Sequence, residues 1–550
     1  MMKKFASILC VIMCVVVAAT LLVGCGGGGT KEIKDWEKGD AVPADSALYR
    51  DYYHIFVYGF ADSNGDGIGD LKGIEGKLDY IKDLGFNGIW LSPINTAWTR
   101  EHKYDVLDYY DIDPDFGTLK DFEDLMVAAH TKGIAVMMDL VINHTSNHHE
   151  WFLAAQRAYD TGDTSNKYYD YYKFNNSSTS YETFESNTEM PKLNLDSAGV
   201  RAEIEDIMKF WLGEYEVDAF RLDAAWHYYT KNTVKNVEFM QWLMQTAQKY
   251  NPDVYMVGEV WAGDSTVYAH YADDSVQSFF NFALSTARGQ NKLMIYLNQG
   301  QTNRAGKITA VLTAKEQGTA KGIDALFTSN HDTSRFANSV TYLDRYGAYS
   351  ETKMELHKMS VALLYTQTGN VFNYYGNEIG MRNGLTGNST PHYLDYPYRT
   401  AMNWDSTSTA ERTAPFAYKA YGYNSYFGEH DDLIGSVAEQ KDDQNSLFNF
   451  YRRVMLLRRQ NPEIAQGKST FIPYEDSDVL ILVREYKGSK ILMVYNLSST
   501  ESVDVDLAAI LSQHGLKGNL AGFLSSDNNR DVTMKGNKVT LPQFSVAVIR

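Results

Sequence analysis

The chain has 550 residues, 44% of them hydrophobic and 22% charged, which excludes a disordered or collagen-like protein and exceeds one ordinary domain. Lys and Arg number 51 against 69 Asp and Glu, a balance of −18 that argues against a nucleic-acid partner held through its phosphates. Aromatic residues make up 13%, a share that serves either a ring-rich core or a surface that stacks on flat ligands such as sugars.

At the N-terminus, Lys3 and Lys4 precede a nearly continuous apolar run over 8–23, shorter than the ~20 residues of a spanning helix, as in an export signal. The run ends in Leu22-Val23-Gly24-Cys25 and Gly26 to Gly29, which resembles a bacterial lipoprotein box. That resemblance implies cleavage before Cys25 and a diacylglyceryl group on its thiol. An uncleaved N-terminal anchor is the alternative, and both readings tether the body to a membrane outside the cytoplasm. Cleavage also removes Cys10 and Cys14, so the mature chain is expected to have no disulfide, and a core of this size needs none. Residues 1–24 are thus read as signal and 25–47 as a lipidated, flexible tether.

From Tyr49 onward, apolar and β-branched runs alternate with helical patterns, the signature of βα units around a parallel sheet. Strands are predicted at 54–58, 88–91, 134–140, 218–222, 255–258, 278–282, 325–328 and 371–375. Eight of them fit a (β/α)₈ TIM barrel over 48–145 and 196–445. A Tyr-, Asn- and Ser-rich stretch at 146–195, with little helical periodicity, reads as an excursion domain after the third strand. Residues 446–550 read as a linking helix followed by an antiparallel β-sandwich.

Side chains at the C-terminal ends of barrel strands converge on one pocket. The third, fourth, fifth and seventh predicted strands end in Asp139-Leu140-Val141-Ile142-Asn143-His144, Arg221-Leu222-Asp223, Gly258-Glu259-Val260-Trp261 and Asn330-His331-Asp332. One such carboxylate is weak evidence, since it is more often a cap or an ion-pair partner. Four in this order are not easily coincidence.

With Gly85-Phe86-Asn87-Gly88-Ile89-Trp90, Met190-Pro191-Lys192-Leu193-Asn194 and Tyr375-Gly376-Asn377-Glu378, these motifs resemble the α-amylase family of glycoside hydrolases, from Tyr49 to Arg550. The Met190 motif points toward the oligosaccharide-hydrolase and neopullulanase branches. The resemblance implies Asp223 as nucleophile, Glu259 as general acid/base and Asp332 as transition-state stabiliser. It further implies that His144, His331 and Arg221 serve the sugar at the cleavage site and that Tyr104 stacks on it. The family usually carries Gly where this chain has Lys103, which loosens the placement of His102. Ala224, after the nucleophile, goes in this family with α-1,4 rather than α-1,6 bonds. Trp226 stands where many relatives have Lys; it either stacks on a glucose or packs at the rim, and Trp261 is a further cleft aromatic.

The chemistry needs these residue types. A retaining glycosidase sets two carboxyl groups ~5–5.5 Å apart, one to attack the anomeric carbon and one to protonate the leaving oxygen. Arg221, two residues from Asp223 on one strand face, is expected to keep the nucleophile ionised, while burial raises the pKa of Glu259.

Asp62-Ser63-Asn64-Gly65-Asp66-Gly67-Ile68-Gly69-Asp70 sets oxygen side chains at alternate positions, but Gly73 replaces the closing Glu of an EF-hand. It resembles the calcium loop after the first barrel strand of the oligosaccharide-hydrolase branch, with Asp62, Asn64, Asp66, the Ile68 carbonyl and Asp70 as ligands of Ca²⁺. A second family calcium site uses positions matching Asn143 and the His227 carbonyl. Lys192 replaces its usual aspartate, and an ammonium group cannot coordinate a cation, so that site is expected to be absent, the lysine charge standing in its place.

The combined expectation is a lipid-anchored, monomeric, endo-acting retaining hydrolase of α-1,4 bonds in starch and maltooligosaccharides. A neopullulanase-like or maltogenic hydrolase, or a glucan transglycosylase, is the alternative among enzymes. A non-catalytic glucan-binding lipoprotein is the alternative of another class, although a binder has no need of all three carboxylates.

Overall fold

The computed structural model describes residues 34–42, 46–100, 102–287, 291–298, 301–342, 351–384, 396–407, 413 and 435–550. The export signal and Cys25 lie outside the described residues. The chain divides into two units, Met1–Lys38 and Gly39–Arg550; what is described of the first is a 3-10 turn over Asp35–Lys38.

In the second unit eight short parallel strands close into a barrel: β1 Tyr52–Ile55, β2 Gly88–Leu91, β3 Ala135–Leu140, β4 Ala219–Leu222, β5 Tyr255–Gly258, β6 Ser278–Phe280, β7 Ile323–Phe327 and β8 Asn370–Tyr374. Each pairs with its neighbours in chain order, and β1 closes on β8 through Tyr52↔Phe372 and His54↔Tyr374. Every strand residue is buried, as parallel strands covered on both faces require. The barrel interior holds Tyr52, Trp90, Tyr255, Phe280, Phe327 and Phe372, with Tyr52 stacked on Phe372 at 5.0 Å and on Tyr255 at 5.7 Å. Much of the aromatic excess is therefore core.

The first strand sits two residues earlier than expected, because the apolar run of 54–60 outlasts the ladder. Beyond Ile55 the backbone turns, Val57 N–H donating to Ser92 Oγ and Val57–Phe60 forming one helical turn. The region expected to lack helix contains one, Glu150–Thr161. His149 caps it by accepting from Trp151 N–H at 3.0 Å, and it buries Trp151, Phe152, Ala154, Ala155 and Ala158 on one face. The aromatic and amide-rich residues that follow form two small hairpins, Phe174–Ser177 with Ser180–Tyr181 and Thr183–Phe184 with Asn187–Pro191.

After the barrel, the helix Leu447–Gln460 leads to antiparallel sheets of five and three strands between Lys468 and Ile549.

Candidate active site

The register of β3 and β4 sets Arg221 level with Asp139, and both side chains are buried. One guanidinium gathers much of the pocket. Arg221 Nη1 donates to Asp139 Oδ1 at 2.7 Å, to Asp223 Oδ1 at 2.9 Å and to the Tyr104 hydroxyl at 3.2 Å. Its Nη2 lies 3.0 Å from Glu259 Oε1. Arg221 and Asp223 share a face because alternate residues along a strand point the same way. Glu259 follows β5 directly, its N–H bonding the Leu222 carbonyl at 3.1 Å. Ala224 adopts the left-handed region with φ 47°, and its N–H donates to Glu259 Oε2 at 3.0 Å. A side chain held in that region stores strain of order 1 kcal/mol, a feature that clusters at active sites.

The opposite wall comes from the segments after β2, β7 and β8. His331 Nε2 is 2.7 Å from the Tyr104 hydroxyl and 3.0 Å from Asp332 Oδ2, and its ring stacks on Tyr104 at 5.6 Å. Arg399 Nη2 donates to Asp332 Oδ1 at 2.8 Å while its Nε donates to the His331 carbonyl. His144 Nε2 lies 3.1 Å from the Tyr104 carbonyl, and Tyr104 N–H donates to His102 Nδ1 at 3.0 Å. Lys103 takes φ 61°, which accounts for glycine at this position in relatives. Its ammonium, in contact with Asp113 Oδ1 at 2.8 Å and Asp115 Oδ2 at 3.3 Å, offsets that strain and fixes the Tyr104 loop.

The electrostatics depart from the expectation in one respect. Burial, with help from Asp223 and Asp332, pushes Glu259 up to about 7, as expected. Burial also raises Asp223 to about 7, reinforced by Asp139 and Asp332 and opposed by Arg221. The arginine is where the sequence requires it, but its charge is divided among three carboxylates, and Asp139 itself is raised by burial to about 6. Burial would raise Asp332 as well, yet His331 and Arg399 outweigh it and hold that carboxyl far below the usual range. Burial lowers His144 to about 3, leaving a neutral imidazole at neutral pH. The pocket thus contains one carboxyl held low, Asp332, and three raised toward neutrality, Asp139, Asp223 and Glu259.

Asp223, Glu259, Asp332, Tyr104, His144, Arg221 and His331 all come together as the sequence suggests. Trp226 is half-buried beside them, its N–H on the Glu259 carbonyl at 3.2 Å and Lys231 Nζ 5.1 Å from its ring. Trp261 stacks on Phe282 at 5.0 Å and leans on the barrel core, so one face is already covered. Asp139 was read as one of the four strand-end carboxylates but given no role, and Arg399 was not anticipated at all. Asp139 carried a signal, an acid inside the otherwise apolar run Ala135–Leu140. Arg399 carried none, since it reaches the pocket from a loop without a motif.

In the 62–70 loop, Asp62 accepts from the N–H groups of Asn64, Gly65 and Gly67, Asn64 from Asp66, and Asp66 from Ile68. Asp70 caps the next helix through Gly73 N–H and accepts from Ser63. Among the described residues no three acidic, His or Cys side chains converge tightly enough to form a preassembled metal cluster. Lys192 Nζ donates to the His227 carbonyl at 2.5 Å and to Thr230 Oγ1 at 3.0 Å, while buried Asn143 Oδ1 has no hydrogen-bond partner among the described residues.

Comparison with known proteins agrees with this geometry. Residues 54–467 match the model of the alpha amylase catalytic domain. Alpha-amylase 3 of Dictyoglomus thermophilum is 33% identical over 469 residues, covering 82% of this chain and 85% of that one. Oligo-1,6-glucosidase of Bacillus cereus is 27% identical over 82% of this chain and 90% of its own. The solved structure of Eubacterium rectale Amy13B superposes with a TM-score of 0.81 at 33% identity, covering 94% of this chain and 97% of that one. The barrel, its strand-end carboxylates and these relatives establish that the chain belongs to the α-amylase family of glycoside hydrolases, enzymes that act on α-glucosidic bonds.

Proposed function

We propose that the protein is an endo-acting α-1,4-glucan hydrolase that works with retention. The observation that carries the reading is the Arg221 fork, which holds Asp223 on one arm and Glu259 on the other. Glu259 gives its proton to the glycosidic oxygen as the Asp223 carboxylate bonds to the anomeric carbon and the leaving chain departs. Glu259, now ionised, takes a proton from water, whose oxygen replaces Asp223 at that carbon. Raised, coupled carboxyls suit this exchange, because one proton held between the two is the productive state and each step returns it. Asp332, kept ionised by His331 and Arg399, binds sugar hydroxyls and favours positive charge on the distorted ring. Ala224 after the nucleophile supports α-1,4 specificity. Glu259→Gln tests the assignment: hydrolysis of starch should fall by about 10³-fold, and NMR of the parent reaction should show the α-anomer first. Near-full activity in the variant, or first release of the β-anomer, defeats the reading.

The 62–70 loop offers oxygen donors alone, suiting a hard cation, and we assign Asp62, Asn64, Asp66, the Ile68 carbonyl and Asp70 as ligands of a structural Ca²⁺. Its carboxylates keep acceptor capacity beyond their bonds to the loop backbone. The ion would brace the loop and takes no step in the reaction. At the barrel–excursion junction, the Lys192 ammonium stands in for a second ion. Cys25 anchors the enzyme by lipid outside the cytoplasm, as a monomer; no helix among the described residues is long and apolar enough to cross a membrane.

A further inference from the structure

Of the nine tryptophans, all in described regions, Trp98 alone is exposed, at 60%. Leaving an indole in water forfeits burial that the other eight tryptophans obtain at least in part. The ring is nonetheless fixed. One face lies on the imidazole of His148, with centroids 3.7 Å apart and planes at 19°. Trp98 N–H donates to the Asp105 carbonyl, and the next residue, Thr99, donates its N–H and hydroxyl to the buried Asp105 carboxylate. His148 belongs to the segment entering the excursion, which joins the same frame where Ser146 N–H donates to the Val106 carbonyl at 3.1 Å. The platform thus spans the seam between two walls of the cleft and loses little freedom when something lands on it.

Its position connects it to the chemistry. Asp105, the backbone partner of Trp98, is the neighbour of Tyr104, whose hydroxyl sits in the carboxylate cluster. A cross-strand pair plus one residue puts the Cα atoms of Trp98 and Tyr104 within roughly 10 Å of each other. The free indole face is one ring in area, far below what a protein partner needs. It matches the C–H face of a pyranose, apolar and weakly positive against the negative π-surface.

We propose that Trp98, backed by His148, is a glucose-stacking platform that extends the cleft beyond the sugar under Tyr104 and makes the enzyme prefer long α-glucan chains. This rests on the α-1,4-glucan reading above. The test compares kcat/KM on long soluble amylose and on maltotriose for the parent, Trp98→Ala and Trp98→Phe. Trp98→Ala should lose about tenfold on amylose and stay within about twofold on maltotriose, with Trp98→Phe recovering most of the loss. Equal losses on both substrates point to a merely structural role, and no loss on amylose removes the platform; either result overturns the proposal. A parent inactive on both substrates counts against the α-1,4 reading instead. In that event calorimetric binding of amylose to Glu259→Gln chains with and without Trp98 still decides, and unchanged affinity overturns the platform.

Discussion

Two of the fully buried arginines, Arg458 and Arg221, lie near opposite ends of the barrel, and their surroundings differ in kind. At the N-terminal end Arg458, from the helix Leu447–Gln460, donates Nε to both oxygens of Asp51 at 2.9 and 3.0 Å. Its other nitrogens reach the carbonyls of Tyr365, Gln367 and Gly369. One acid faces one base there, and each nitrogen has a partner. At the C-terminal end Arg221 faces Asp139, Asp223 and Glu259 together, and its own Nε has no hydrogen-bond partner among the described residues. The first arrangement neutralises charge, whereas the second leaves acids in excess and their protons loosely held. A barrel commonly keeps stability at one end and chemistry at the other, and these two guanidiniums show that division as a difference in charge balance.

The sharpest way to break the comparison is to remove each cation. Arg221→Gln takes away the one cation that opposes burial at both Asp223 and Glu259. Both carboxyls should then titrate higher, so the acid limb of the pH–kcat/KM profile moves to higher pH, since the nucleophile must lose its proton to act. Activity at neutral pH should fall by about 10³-fold, more than one lost hydrogen bond explains. A variant whose profile keeps its acid limb would show that Arg221 serves packing alone.

Arg458→Ala should act in the other currency. It leaves Asp51 buried without its partner and three carbonyls without donors, at a cost of about 3–5 kcal/mol in stability. The molecules that remain folded should keep kcat within about twofold and an unmoved pH profile. Thermal unfolding and pH–rate measurements on the same preparation check both halves. A shifted pH limb in Arg458→Ala would join the two ends electrostatically and undo the division.

The same contrast explains what was legible in the sequence. Barrel strands are short apolar runs whose C-terminal residues must face the pocket, so Asp223, Glu259 and Asp332 could be picked by position and order. The ladder's limits were less visible, because Val57 and Phe60 are as apolar as the strand before them and only the turn at Ser92 ends it. The helix Glu150–Thr161 was masked by the Tyr- and Asn-rich residues after it. Arg221 could be placed beside Asp223 by strand alternation, but how its charge is shared depends on Asp139, a neighbour across the ladder. Arg399 lies well beyond the last barrel strand in sequence, outside any motif that could mark it.

Lys192, another buried cation, gives the finest test, because its named partners are neutral: the His227 carbonyl and the Thr230 hydroxyl. Where Arg458 pairs with an acid and Arg221 with several, Lys192 places its charge on neutral oxygens, which under the proposal above a divalent ion would otherwise join. Lys192→Ala should cost about 1–3 kcal/mol, the penalty for leaving such acceptors unsatisfied, with little change in pH profile. Lys192→Asp should instead add an oxygen ligand beside Asn143 Oδ1 and create a calcium site. Metal analysis should then read one calcium per parent chain and two per Lys192→Asp chain. Calcium at about 100-fold its Kd should restore roughly 2.7 kcal/mol to the variant. Two calciums in the parent would mean that the ammonium replaces nothing. One calcium in Lys192→Asp would mean that the junction holds its shape by packing, and that the lysine is there for its stem rather than its charge.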